Sequence, residues 1–211
     1  MKKKLLSLVL AGAMIASTSV SAFAEDKLIQ DSETKEVETN ISIKGGVASS
    51  TGVLPTGNFN ITIPTTASFT VSQDGDVITM PINVRNNGEQ NIEVYAVKFV
   101  DTTATAGSNI TVTNKSELKD KNRSYVNLNL RGNSKTVYLK SEDINSQNNG
   151  IYKDEALNEK ASGEDLKLAV INSKQADNIT IEGSAGVKAS EPVENALTDN
   201  FTLTLKIKKS N

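Results

Sequence analysis

Apolar and polar residues alternate with a period of two along much of this chain, the pattern of strands that turn one face to a core. Val37, Thr39, Ile41 and Ile43 alternate with Glu36, Glu38, Asn40 and Ser42 until Gly45-Gly46 ends the run. Phe59, Ile61 and Ile63 follow, Pro64 stops the ladder, and 68–71 forms a second short extended piece. The turn Gln73-Asp74-Gly75-Asp76 leads into Ile78, Met80, Ile82 and Val84, which read as one strand closed by the turn Asn86-Asn87-Gly88. In the next segment, 92–100, the apolar set shifts phase from Ile92 and Val94 to Tyr95, Val97 and Phe99. A bulge near Tyr95 would produce that shift, as would cover on both faces; the second is favoured and predicts a central strand.

Further strands fit 110–112, 125–130, 136–139, 166–171 and 179–182, with Gly132-Asn133 turning 125–130 and 136–139 into a hairpin. The clearest run is the last, where Phe201, Leu203, Leu205 and Ile207 alternate with Thr202, Thr204, Lys206 and Lys208. Residues 141–163 are polar, and 153–160 carries helix formers without a long apolar face, which predicts a short peripheral helix. About ten short strands with Asn/Gly/Ser-rich turns describe an all-β, antiparallel β-sandwich over residues 36–211.

Ahead of it, Lys2, Lys3 and Lys4, an apolar run over 5–16 and the small-x-small Ala22-Phe23-Ala24 predict a signal peptide over 1–24 cleaved after Ala24. The run is shorter than the roughly 20 residues that cross a bilayer, so no membrane span is expected after cleavage. The mature chain is therefore expected outside the cell or on its surface. Residues 25–35, polar except for Leu28 and Ile29, read as a flexible N-terminal arm. Leu54-Pro55-Thr56-Gly57 lacks a sortase signal's residue between Pro and Thr and reads as a turn.

Composition then removes most chemistry. The chain has no Cys, His or Trp. The usual general base, thiol nucleophiles and the commonest transition-metal ligands are missing, so no cofactor and no enzymatic activity are expected. Signal removal takes three Lys and shifts the formal charge from -2 to -5, which argues against a nucleic-acid partner. Asp74-Gly75-Asp76 could offer oxygens to Ca²⁺, but two acids do not fill its six to eight positions, and a hairpin turn is the plainer reading. Glu142-Asp143 and Asp154-Glu155 read as solvated surface, and paired carboxylates for glycoside cleavage would need an aromatic cleft that 4% aromatic residues do not supply. Lys206, Lys208 and Lys209 read as charges that keep an edge strand from aggregating.

The run Val37, Thr39, Ile41 and Ile43 stands apart, because Gly45-Gly46 and a loop over 47–57 separate it from the body. Such a strand pairs in its own sheet or fills the sheet edge of a neighbouring subunit. From Asp74 to Phe99, the Asp-Gly-Asp turn, alternating strand, Asn-Asn-Gly turn and apolar strand resemble a segment of the camelysin/TasA family of secreted Gram-positive proteins. The resemblance covers about 26 residues and implies a jelly-roll-like sandwich whose subunits join into extracellular fibres through an N-terminal strand. Residues 37–43 hold the matching place in chain order. The metallopeptidase label within that family finds no zinc-binding His here. The expected function is thus a structural subunit of a fibre or matrix, assembled by self-association through strand addition. The alternative is a surface module that recognises cell-wall glycan or a host protein through loops at 101–108 or 145–163.

Overall fold

Alternation on this scale resolves into fourteen strands among the described residues of a computed structural model: β1 (Asp26–Gln30), β2 (Glu36–Gly45), β3 (Asn60–Pro64), β4 (Thr66–Val71), β5 (Val77–Thr79), β6 (Ile82–Asn86), β7 (Ile92–Asp101), β8 (Thr111–Val112), β9 (Tyr125–Arg131), β10 (Thr136–Leu139), β11 (Ile151–Tyr152), β12 (Lys167–Ile171), β13 (Ala176–Ala185) and β14 (Asn200–Lys209). The structure describes residues 26–30, 36–45, 60–72, 74–103, 109–188 and 197–210. The signal peptide with Ala22 and Ala24, residues 31–35 of the arm, the loop 47–57 and residues 104–108 lie outside them.

Two sheets curl around one core into a half-barrel, an all-β sandwich. One sheet runs β1-β3-β6-β13-β9-β10-β11, with β8 beside β9, and the other runs β12-β7-β14-β2-β4-β5. Most pairs are antiparallel; β2–β4 and β8–β9 are parallel. The core joins Ile61, Ile63, Ile82 and Val84 from the first sheet to Ile41, Val94, Phe99 and the inward side of β14 from the second.

The sheets meet at both sides of the half-barrel. On one side the Thr79 hydroxyl donates to the Ile181 carbonyl at 2.7 Å, and the Ala185 N–H donates to the Gly75 carbonyl at 2.9 Å. On the other, the β9–β10 turn seals the edge of β12. Asn133 Nδ2 donates to the Val170 carbonyl at 2.8 Å and Asn133 Oδ1 accepts the Val170 N–H at 3.0 Å, so one carboxamide copies the pairing of a missing strand. Ser134 N–H completes the seal at the Leu168 carbonyl, 2.9 Å away. Gly132 permits this approach: a Cβ there would meet the Leu168 carbonyl oxygen at 2.2 Å.

Several expectations change. The arm contains an edge strand, since β1 pairs antiparallel with β3 from Asp26↔Pro64 to Gln30↔Asn60. The single strand expected through 78–84 breaks at Met80-Pro81, where the chain leaves one sheet for the other; Pro81 has no N–H for a continuous ladder. Ile78 and Met80 are consequently 61% and 42% exposed, whereas Ile82 and Val84 are buried. β7 is central, between β12 and β14, and its phase shift has both candidate causes. Its register against β14 slips between Ala96 and Lys98, a bulge at Val97, and outward-facing Tyr95 is nevertheless only 4% exposed.

No helix forms over 153–160. The Asp154 carboxylate instead accepts the N–H groups of Asn158 and Glu159, Leu157 takes φ 58°, and Tyr152 bridges to Lys160. Single 3₁₀ segments occur at Lys115–Asp120, capped by Asn114, and at Gly163–Leu166. No helix among the described residues is long and apolar enough to cross a membrane.

Replacing Asn133 by Ala unpairs both backbone groups of Val170. The expected loss is about 1–3 kcal/mol of unfolding free energy, measured by urea denaturation, with increased concentration-dependent association through the opened edge of β12.

Candidate assembly site

The last strand builds the seat of the first patterned one. Phe201, Leu203, Leu205 and Ile207 of β14 are all buried on its inner side. The antiparallel register sets them opposite Ile43, Ile41, Thr39 and Val37, in that order. Two alternating runs far apart in the chain thus meet position by position, the arrangement in which directly opposed side chains share one face of a sheet. Thr39 and Ile41 are buried. Below them, the Phe201 ring stacks on Phe99 with centroids 5.3 Å apart and tilts against Phe69 at 6.1 Å.

β2 has a neighbour on each side. Opposite β14 it runs parallel to β4, from Ser42↔Thr66 to Gly45↔Phe69. In this single chain the strand therefore pairs within its own sheet. The four predicted positions Val37, Thr39, Ile41 and Ile43 fall together on one ladder.

The polar positions are matched as well. Lys206 is the register partner of Glu38, and Lys208 that of Glu36. β14 lies between β7 and β2, so these lysines do not stand on an edge strand, and acidic residues hold the register positions opposite them. Lys208 Nζ also lies 4.7 Å over the ring of Tyr95.

Beside that ring is the most strongly perturbed group of charges. The Tyr95 hydroxyl donates toward Glu93 Oε2 at 2.8 Å and Glu164 Oε1 at 3.0 Å, while Lys167 Nζ pairs with Glu93 Oε1 at 2.9 Å and Glu164 Oε2 at 2.6 Å. The hydrogen bond from Lys167, reinforced by Tyr95, holds both carboxyl groups below the usual glutamate range. Burial, followed by its carboxylate partners, pushes the Tyr95 hydroxyl up, and the two carboxylates raise Lys167. These contacts tie β12 and the Gly163–Leu166 turn to β7, next to the seat.

The other sequence candidates serve the fold. Asp74-Gly75-Asp76 is the β4–β5 hairpin turn: Ser72 Oγ accepts the N–H groups of Asp74 and Asp76, and Gly75 takes φ 88°. Glu142 accepts from Ser146 Oγ at 3.2 Å and from the hydroxyl of buried Tyr152 at 3.4 Å. Asp143 accepts the Asn145 N–H, and Glu155 pairs with Lys115 at 3.3 Å. Among the described residues no group of three or more His, Cys, Asp or Glu could hold a metal ion.

No family model, curated protein or solved structure matches this chain. The site is therefore read from its own geometry.

Sequence reasoning missed the Asn133 plug and the Tyr95 clamp, because both depend on residues distant in the chain. The Asn114-x-x-Glu117 spacing was a local helix-start signal that could have marked the first 3₁₀ segment.

Ile41→Ala is expected to cost about 2–5 kcal/mol of unfolding free energy, against roughly 0.5 or less for Thr202→Ala on the outward side of β14; chemical denaturation compares them. Lowered carboxyl values mean that the clamp contributes fully above about pH 4.5, the ordinary glutamate value, and loses that contribution as pH falls through the lower native value. Glu93→Gln should lower Tm by about 2–4 °C at pH 7, with the gap to the parent closing toward pH 2 in thermal melts.

Proposed function

We propose that this chain is a secreted, non-enzymatic structural subunit, and that copies assemble outside the cell by exchanging β2, so that the strand of one fills the seat of the next. The observation that carries this reading is the seat itself. It is a continuous apolar row, Phe201, Leu203, Leu205 and Ile207, whose partner strand belongs to the N-terminal segment.

Chain connectivity supports it. Everything before Asn60 that is described consists of β1 and β2, and fourteen residues, 46–59, join them to the body. Fully extended, that link spans about 45–50 Å, and a domain of this size has a radius of gyration of about 16 Å. A neighbour's seat is within reach provided that β1, joined to β2 by residues 31–35, moves with it from its own β3 to the neighbour's. Exchange conserves every backbone pair that the strand makes in its own sheet, so the free-energy difference between the two states is small. If each subunit passes its strand forward, the contact is heterologous and propagates as a fibre, the assembly that the camelysin/TasA resemblance implies. In this scheme signal cleavage after Ala24 frees an N-terminus about a dozen residues ahead of the exchanged strand.

The charge register provides the test. Glu36→Lys/Glu38→Lys and Lys206→Glu/Lys208→Glu each set like charges across the β2–β14 ladder, and each variant alone should assemble poorly. Mixed one to one, every β2 finds an oppositely charged seat only on the other variant. Electron microscopy should then show assemblies in the mixture, and size-exclusion chromatography should show both variants in them. Two unmixed monomer populations would overturn the proposal, and saturable binding of such monomers to isolated cell walls would favour a recognition module instead. Deleting 36–45 should abolish assembly of the parent.

A further inference from the structure

Sheet ends present unpaired backbone groups, and among the described residues four of the five strands at sheet margins, β12, β5, β11 and β8, are covered. β12 is plugged by Asn133 and Ser134. β5 lies against β13, where Asp76 bridges Ser184 and Gly75 accepts the Ala185 N–H. The outer side of β11 is covered by the 159–161 segment: the Ala161 N–H donates to the Ile151 carbonyl at 3.0 Å, and the Lys153 N–H donates to the Glu159 carbonyl at 3.0 Å. β8 is covered by Ser141, whose N–H reaches the Val112 carbonyl at 3.2 Å and whose Oγ accepts the Val112 N–H at 3.2 Å. Among the described residues β1 ends the first sheet with a single neighbour, β3.

We propose that the outer edge of β1 is a self-pairing edge, and that its partner is β1 of a second copy. An open strand edge of a second copy matches a row of alternating backbone donors and acceptors, and among the described residues β1 is the sheet end without such cover. Two identical edges meet around a two-fold axis, in an isologous antiparallel contact. Full overlap of the five residues centres the axis on Leu28, with Asp26 opposite Gln30 and Lys27 opposite Ile29 of the second copy. No like charges are then directly opposed. The contact joins two first sheets into one continuous sheet. It does not depend on exchange of β2, because β1 keeps its outer edge in either arrangement; in an exchanged chain of subunits it would join neighbouring fibres side by side.

The chain contains no Cys, so single thiols report the register directly. Directly opposed residues of an antiparallel pair have Cα atoms about 4.5–5.5 Å apart, inside the span a disulfide bridges. Leu28→Cys should form a disulfide dimer under mild oxidation at least tenfold faster than Asp26→Cys or Gln30→Cys, whose own copies would be about 14 Å apart. A mixture of Asp26→Cys and Gln30→Cys should form the heterodimer as fast as Leu28→Cys forms its homodimer. Circular dichroism confirms that each variant is folded. The pairing is overturned if Leu28→Cys dimerises no faster than the end positions, or if the mixture shows no preference for the heterodimer. The same experiment in the Glu36→Lys/Glu38→Lys background should give the same ranking, so failure of β2 exchange and failure of this contact are read separately.

Discussion

The ladder between β14 and β2 is the constraint on which the rest of the structure depends. β14 is paired along its length on both sides, with β7 from Phe201↔Asp101 to Lys209↔Ile92 and with β2 from Asn200↔Lys44 to Lys208↔Glu36. Its inward row carries Phe201, which contacts Phe99 and Phe69 and so joins three strands of the second sheet through aromatic packing. A chain with five Phe and no Trp concentrates three of its large rings there. With no disulfide to restrain the unfolded chain, burial of this row and the strands it orders must hold the sandwich together.

Polar residues perform the complementary task of finishing the sheets. Asn133 replaces a strand at β12. Buried Asn86 donates through Nδ2 to the Gln90 and Asn172 carbonyls and accepts the Gly88 N–H, fixing the β6–β7 turn against the chain that follows β12. Asp199, also buried, accepts the Ile110 N–H and so ties the approach to β8 to the start of β14. Each closes backbone groups that would otherwise be left unpaired at the margin of an apolar core. The Asn- and Ser-rich composition, which reads from sequence as turns, is in this sense also the closure of the half-barrel.

Legibility followed the range of the cause. Residues 201–207 and 37–43 were readable because period-two alternation is local; Phe201, Leu203, Leu205 and Ile207 of β14 are buried, as are Thr39 and Ile41 of β2. The central position of β7 was readable from the phase shift of its apolar set, whereas the placing of the slip at Val97 belongs to a pairing with β14 that no local pattern encodes. Ile78 and Met80 misled because alternation reports a face only while a strand remains in one sheet; Pro81 was the available sign that it did not. β1 was missed because an edge strand is held by backbone pairing and needs few apolar side chains. The helix expected at 153–160 failed for a competing local reason, since the Asp154 carboxylate captures N–H groups that a helical turn would use. Of the candidate site, the strand was legible and its seat was too, as separate runs. Their opposition, residue by residue, required the fold.

That opposition also removes an apparent conflict between a strand seated in its own sheet and a strand proposed to join copies. A segment suited to exchange must complete its own domain in the monomer, because an unfilled seat would leave the row of Phe201, Leu203, Leu205 and Ile207 exposed beside the open edges of β14 and β4. On that proposal the intramolecular pair would be the closed form of the same contact. In the proposed exchange the backbone pairs of the ladder would be conserved, so the balance would rest on terms outside it: the conformational freedom of the 46–59 link, the local concentration of chains, and the charges at opposed register positions. Glu36 and Glu38 hold the register positions opposite Lys208 and Lys206, and in the proposed exchange the same opposition would favour one register and direction. A seat with this charge pattern would accept another copy's β2 in the same sense as its own, so one register serves both the folded monomer and the assembled chain.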